Sequence, residues 1–149
     1  VEEKVGDRGL YGLVNNAGIV KPGPLEFQPL DDFRTQLEVN LIGQLAMTQA
    51  FLPRIRRGQG RVVNVGSIGG HVVLPLHGAY SASKFAFEAV TDAFRLELRQ
   101  WGIPVSLVDP GGSTVGGLAN GQPVTDRGLR IEHGGGAQRH EAGAADRHE

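Results

Sequence analysis

In the stretch GAYSASKFAFEAV, Gly78 to Val90, a tyrosine is followed four residues later by a lysine, Tyr80 and Lys84. Both types are scarce here: the chain has two tyrosines, and lysine occurs only at Lys4, Lys21 and Lys84 although basic residues number 15. On a helix this spacing puts both side chains on one face, about one turn apart. An ammonium so placed favours a phenolate, and a phenol with that assistance can give or take a proton as a general acid or base. Lysine suits the place better than arginine, because its compact, rotatable head can reach a ligand hydroxyl at the same time. The same pair also arises by chance on ordinary helices, so the spacing alone leaves both readings open.

The elements that would position the pair follow from the hydrophobic pattern. YGLVNN (Tyr11 to Asn16), RVVNVGS (Arg61 to Ser67) and PVSLVDPG (Pro104 to Gly111) are short apolar runs that end in polar or turn residues. Each predicts a buried strand handing over to a loop at its C-terminal end. A helix is predicted from about Leu30 to Arg57, with Leu37, Leu41, Leu45, Thr48, Leu52 and Ile55 as its inward stripe and Pro53 as the place of a kink. A second is predicted from about Ala79 to Gln100, burying Tyr80, Lys84, Phe87, Thr91, Phe94 and Leu98. Glu88, Asp92, Arg95 and Arg99 take its opposite face, and Gly102 ends it. Strand, helix, strand, helix, strand at this spacing implies an α/β fold: a partial, doubly wound parallel sheet of three recognisable strands with two crossover helices.

In such sheets a ligand crevice lies beyond the C-terminal strand ends, and there the unusual residues gather. NNAG (Asn15 to Gly18) follows the first strand, GSIGG (Gly66 to Gly70) the second, and DPGGST (Asp109 to Thr114) the third. Ser67 precedes Tyr80 by thirteen residues, and Asn40 stands midway along the long helix, where a buried amide needs hydrogen-bond partners. A hydrolase reading of Ser67 is disfavoured, because the nucleophile-elbow turn needs glycine two residues earlier and Val65 stands there. His71 and His77 read as loop residues near the pocket mouth. His133, His140 and His148 are spaced by seven and eight residues, which fits no helical or finger-type ligand pattern, so no metal is expected.

Asn15-Asn16-Ala17-Gly18, Asn40, Ser67, Tyr80, Lys84 and Pro110-Gly111, in that order, resemble the short-chain dehydrogenase/reductase family, over roughly residues 1 to 116. The resemblance implies a Rossmann-type NAD(P)-binding fold and hydride transfer between NAD or NADP and a small-molecule secondary alcohol or ketone, of retinol-like or hydroxysteroid-like kind. It makes Tyr80 the proton donor and acceptor, Ser67 the group that hydrogen-bonds the substrate oxygen, and Lys84 the holder of the nicotinamide ribose. Asn40 would position a water in a proton relay. Asn16, Ala17, Gly18, Tyr80, Lys84, Pro110, Gly111 and Thr114 would contact the cofactor, and a full-length form could be a homo-oligomer. The family's glycine-rich pyrophosphate turn, of the T-G-x-x-x-G-x-G type, is not found in these residues. The alternative expectation is therefore a non-catalytic piece of such an enzyme, without the phosphate-binding half and with an open edge on its first strand.

The remaining composition is mainly exclusionary. With 15 basic against 16 acidic residues the net charge is -1, which offers no field to attract nucleic acid or an anionic membrane. No run approaches the length of a membrane span, and the absence of cysteine excludes disulfides and thiolate chemistry without fixing a compartment, so a cytoplasmic setting is only the default expectation. Ten of the 23 glycines lie from Gly111 onward, while all nine aromatic residues lie at or before Trp101. Residues 117–149 are therefore expected to be a disordered tail, and residues 1–116 the partial domain.

Overall fold

A computed structural model of the chain describes residues 8–110 and the backbone of residues 130–132. The expected alternation is present. Strand β1 (Gly12–Asn15) leads through helices α1 (Leu30–Leu37) and α2 (Gly43–Arg57) to β2 (Arg61–Val65), and helix α3 (Gly78–Leu98) connects β2 to β3 (Val105–Asp109). β1 pairs parallel with β2, and β2 with β3, with Val14 opposite Val63 and Val65 opposite Val108. A short fourth strand, β4 (Arg130–Glu132), pairs antiparallel with β3 and makes the sheet order β1-β2-β3-β4. The sequence reading placed those three residues in the tail. Their pairing satisfies backbone groups on the β3 edge that would otherwise lack partners; the rest of 117–149 lies outside the described residues. Among the described strands β1 pairs with β2 alone and lies at the end of the sheet order.

Both long helices that pack on the sheet lie on the same face. Asn15 and Asn64 are register partners and therefore point the same way, and they bond to α2 and α3 respectively. Between sheet and helices, Ile55, Val62, Phe94, Leu98, Ile103 and Val105 form the buried cluster, with Leu10, Leu13, Leu45, Phe51, Leu52 and Val90 packed around it. The opposite sheet face leaves Val14 64% exposed, so the described helices cover one side of a sheet whose type is covered on both. Helix α3 ends in a 3-10 turn (Arg99–Trp101) and stops at Gly102, whose φ of 63° is the left-handed conformation that glycine adopts most readily. No helix among the described residues is long and apolar enough to cross a membrane.

The first long helix departs from expectation in two ways. It is not one α-helix: a π-helical turn (Glu38–Ile42) separates α1 from α2, while α2 runs on through Pro53 to Arg57. Its innermost stripe is polar. Gln36, Asn40, Gln44 and Thr48 are buried, whereas Leu37, Leu41, Leu45 and Leu52 are only half-buried and Ile55 alone of the expected aliphatic stripe is fully enclosed.

Candidate active site

That polar stripe holds the segment leaving β1. Gln36 accepts from Lys21 N–H at 3.0 Å and donates to Lys21 C=O at 3.2 Å. Asn40 does the same for Ile19, at 2.8 and 2.9 Å, Gln44 donates to Ala17 C=O, and Thr48 accepts from the Asn15 amide at 2.8 Å. Residues 15, 17, 19 and 21 alternate along an extended chain, and each meets the next residue of an i, i+4 ladder. In a regular α-helix such a ladder drifts by about 40° per step. The wider π turn at its centre takes out part of that drift and keeps the four side chains aimed at one strand-like segment. Asn16, Ala17 and Gly18 are thereby held exposed at the end of β1.

Ser67 and Tyr80 meet at the end of β2. Ser67 Oγ accepts from Gly69 N–H at 3.1 Å, capping the 3-10 turn Ile68–Gly70, which leaves its own O–H free to donate elsewhere. A Cβ on Gly69 would lie 2.9 Å from Tyr80 Cε1 and 3.5 Å from Ser67 Oγ, so this glycine is what lets phenol and serine share one wall. A cavity of about 160 Å³ opens there, lined by Ser67, Tyr80, His77 and Ser81 with apolar Val20, Ile68 and Leu74. Gly69→Ala is expected to displace the Tyr80 ring. In two-dimensional NMR its ring resonances should move while the methyl signals of Ile55 and Val62 stay in place; unmoved ring resonances would contradict the contact.

Lys84 sits one turn further along α3, 5% exposed, with Nζ donating to Val65 C=O at 3.0 Å and lying 5.9 Å from the Tyr80 ring centroid. One of its three donors is used in that bond, and two remain. Burial holds the Lys84 ammonium below the usual lysine range, and the Asp109 and Glu88 carboxylates act against that shift. A Cβ on Gly18 would stand 3.6 Å from Asn40 Oδ1 and 4.0 Å from Lys84 Nζ, so the exposed end of NNAG overlies both groups.

Asn40 is fully buried and its amide is largely committed. Nδ2 donates to Ile19 C=O and, at 3.0 Å, to Ser83 Oγ, which in turn donates to Tyr80 C=O at 2.6 Å. Both Nδ2 hydrogens are thus spent, and only the second lone pair of Oδ1 is left to hold a water. Pro110 follows β3 at the same end of the sheet. Gly111 and Thr114 lie outside the described residues.

Beside Lys84 the structure brings together three residues that sequence reading had kept apart. Glu88 turns inward instead of sharing a solvated face with Asp92, and His71 faces β3 instead of the cavity. His71 Nε2 lies 2.9 Å from Asp109 Oδ2 and 3.8 Å from Glu88 Oε1. Burial, and then the neighbouring Asp109 charge, push the Glu88 carboxyl up to about 7. No spacing in the sequence announces this trio. The ladder, by contrast, was visible as Gln, Asn, Gln and Thr at every fourth position, but the leucines beside it gave the stronger hydrophobic signal.

Comparison with known proteins accords with this arrangement. The family model for the short chain dehydrogenases matches residues 1–121. The chain is 48% identical over 112 residues to retinol dehydrogenase 16 of Mus musculus and, equally, to 17-beta-hydroxysteroid dehydrogenase type 6 of Homo sapiens. Each match covers 74% of this chain and 35% of the relative, so the chain spans about a third of the length of these relatives. A gluconate 5-dehydrogenase from Burkholderia cenocepacia J2315, solved in complex with NADP and tartrate, superposes with a TM-score of 0.69 at 32% identity, covering 74% of this chain and 43% of that one. With serine, tyrosine and lysine gathered at the strand ends of a parallel sheet and the family model matching most of its length, this chain belongs to the short chain dehydrogenase family.

Proposed function

We propose that the chain carries the proton-transfer side of an NAD- or NADP-dependent oxidoreductase that interconverts a secondary alcohol and its ketone. The observation that carries this reading is the meeting of Ser67 and Tyr80 across Gly69, with the Lys84 ammonium one helical turn away. The Ser67 hydroxyl, already an acceptor for Gly69 N–H, is left to donate to the substrate oxygen. The Tyr80 side chain, whose phenolic oxygen bonds to none of the described residues, takes the alcohol proton as the phenolate in oxidation and gives it back as the phenol in reduction. Each is aimed at charge that develops on one oxygen, where a positioned donor contributes most.

The residues present fit the nicotinamide end of the cofactor. Lys84 keeps two donors for ribose hydroxyls, and Asn16, Ala17 and Gly18 lie open above it with no Cβ at Gly18. A nicotinamide held there would supply the hydride acceptor and donor for the carbinol carbon. Val20, Ile68 and Leu74 beside Tyr80, and the exposed Val72, Val73 and Leu76 next to them, favour an apolar substrate. The names of the two relatives point the same way, toward retinol-like or hydroxysteroid-like alcohols.

Titration of the purified chain with NADH and with NADPH, by calorimetry and nicotinamide fluorescence, tests the reading and selects the cofactor. Saturable binding weakened at least roughly tenfold by Lys84→Met is expected, the loss of one or two charge-assisted hydrogen bonds. No saturable binding of either nucleotide would leave the non-catalytic reading in its place.

A further inference from the structure

Three side chains from three separate elements converge at the end of β3 outside the serine–tyrosine wall: His71 after the 3-10 turn, Glu88 on α3 and Asp109 at the end of β3. One ligand atom from each lies within 4.8 Å of the others. The two separations to His71 Nε2, 2.9 and 3.8 Å, bracket the ligand-to-ligand edges of about 3.0–3.4 Å expected of octahedral or tetrahedral sites with bonds near 2.1 Å. From this geometry we propose that His71, Glu88 and Asp109 form a binding site for a divalent transition-metal cation of the zinc class.

A second observation points to a missing cationic partner. Among the described residues, Glu88 Oε1 and Asp109 Oδ1 are both buried with no donor reaching either, apart from a proton the two carboxyl groups can share. Unpaired carboxylate oxygens out of water are costly, and side by side they also repel. The fold nevertheless packs them together: a Cβ on Gly66 would fall 2.0 Å from Asp109 Oδ1 and 2.9 Å from Glu88 Oε1, so both oxygens converge over the one residue that leaves them room. The carboxylate side chains are 12% and 19% exposed, whereas His71 is 49% exposed. The imidazole therefore forms the open side, through which a cation and its remaining waters have access. One imidazole with two carboxylates suits zinc and its first-row neighbours better than magnesium or calcium, which take oxygen ligands alone. Lys84 opposes the cation electrostatically, and the other nearby charge on α3 is Asp92.

The test is a titration of the chelator-treated chain with zinc chloride and, separately, magnesium chloride, by calorimetry and thermal melting, independent of nucleotide or substrate. One equivalent of zinc should bind saturably and raise the melting temperature, with magnesium having no effect at the same concentration. His71→Ala and Glu88→Gln should each raise the zinc Kd by at least roughly tenfold, a cost that even outer-shell partners of metal ligands impose. A companion chain with His133, His140 and His148 replaced by alanine should bind as the parent does. No saturable zinc binding would mean that a shared proton, not a cation, joins the two carboxylates. Binding that survives both site substitutions, or that disappears with the three tail histidines, would equally overturn the proposal.

Discussion

Replacing Tyr80 with phenylalanine is expected to lower turnover by about 10²- to 10⁴-fold, the range supplied by one positioned proton donor. The matched residues span about a third of the length of the relatives, so the measurement is made on a full-length protein. A chimera that supplies the rest from retinol dehydrogenase 16 of Mus musculus, 48% identical over the shared 112 residues, provides the assay. The substitution removes one hydroxyl and leaves the ring that packs on Gly69, so cofactor affinity should change by no more than about tenfold, the upper end of what a single neutral hydrogen bond is worth. Ser67→Ala should show a smaller fall, because it removes a donor to the substrate oxygen but leaves the proton carrier. Retention of most turnover by the phenylalanine variant would remove Tyr80 from the assigned step, whatever the cofactor measurements gave.

The second large effect concerns stability. Asn40→Leu is expected to destabilise the chain by about 2–4 kcal/mol, because it deprives Ile19 N–H, Ile19 C=O and Ser83 Oγ of their partners at a fully buried position. That is a large share of the 5–15 kcal/mol that holds a domain together. Gln36→Leu should cost less, since it removes only the two part-buried bonds to the Lys21 backbone and leaves no buried side chain, as Ser83 is for Asn40, without its partner. Urea unfolding of the two variants beside the parent gives both numbers. A loss below about 1 kcal/mol for Asn40→Leu would mean that the segment from residue 15 to residue 21 is held by something other than the ladder. The same variant bears on the proton-relay expectation for Asn40. Its amide already joins the loop after β1 to the first turn of α3, so part of any lost activity would come from displacement of Tyr80.

The parallel order of the strands, the inward face of α3 and the stop at Gly102 were all legible in the chain. Each rests on a local period or a single backbone requirement: apolar runs of strand length, aromatic and aliphatic residues at i, i+3 and i+4, and a residue able to take a positive φ. The same holds for the candidate site as a set of positions. Asn16, Ser67, Tyr80 and Lys84 fall at strand ends or on the first turns of a helix, and a parallel sheet brings its C-terminal ends to one edge whatever the details of packing.

Tertiary structure decided the rest, and in each case long-range contact outweighed a local signal. The polar ladder took the innermost stripe of the first long helix from the leucines, because the segment after β1 presents backbone groups that need partners and the leucines offer none. Glu88 reads as a solvated residue from its place on the helix, but it turns toward Asp109, a neighbour 21 residues away that no helical period reports. His71 meets the same aspartate across 38 residues. Sequence by itself determined which residue types stand at the strand ends and hence the chemistry open to Tyr80 and Lys84. Only the folded chain decided that Gly69 brings Ser67 to the phenol, and that one histidine and two carboxylates share a pocket, because contacts between distant segments depend on how the elements pack and leave no period in the sequence.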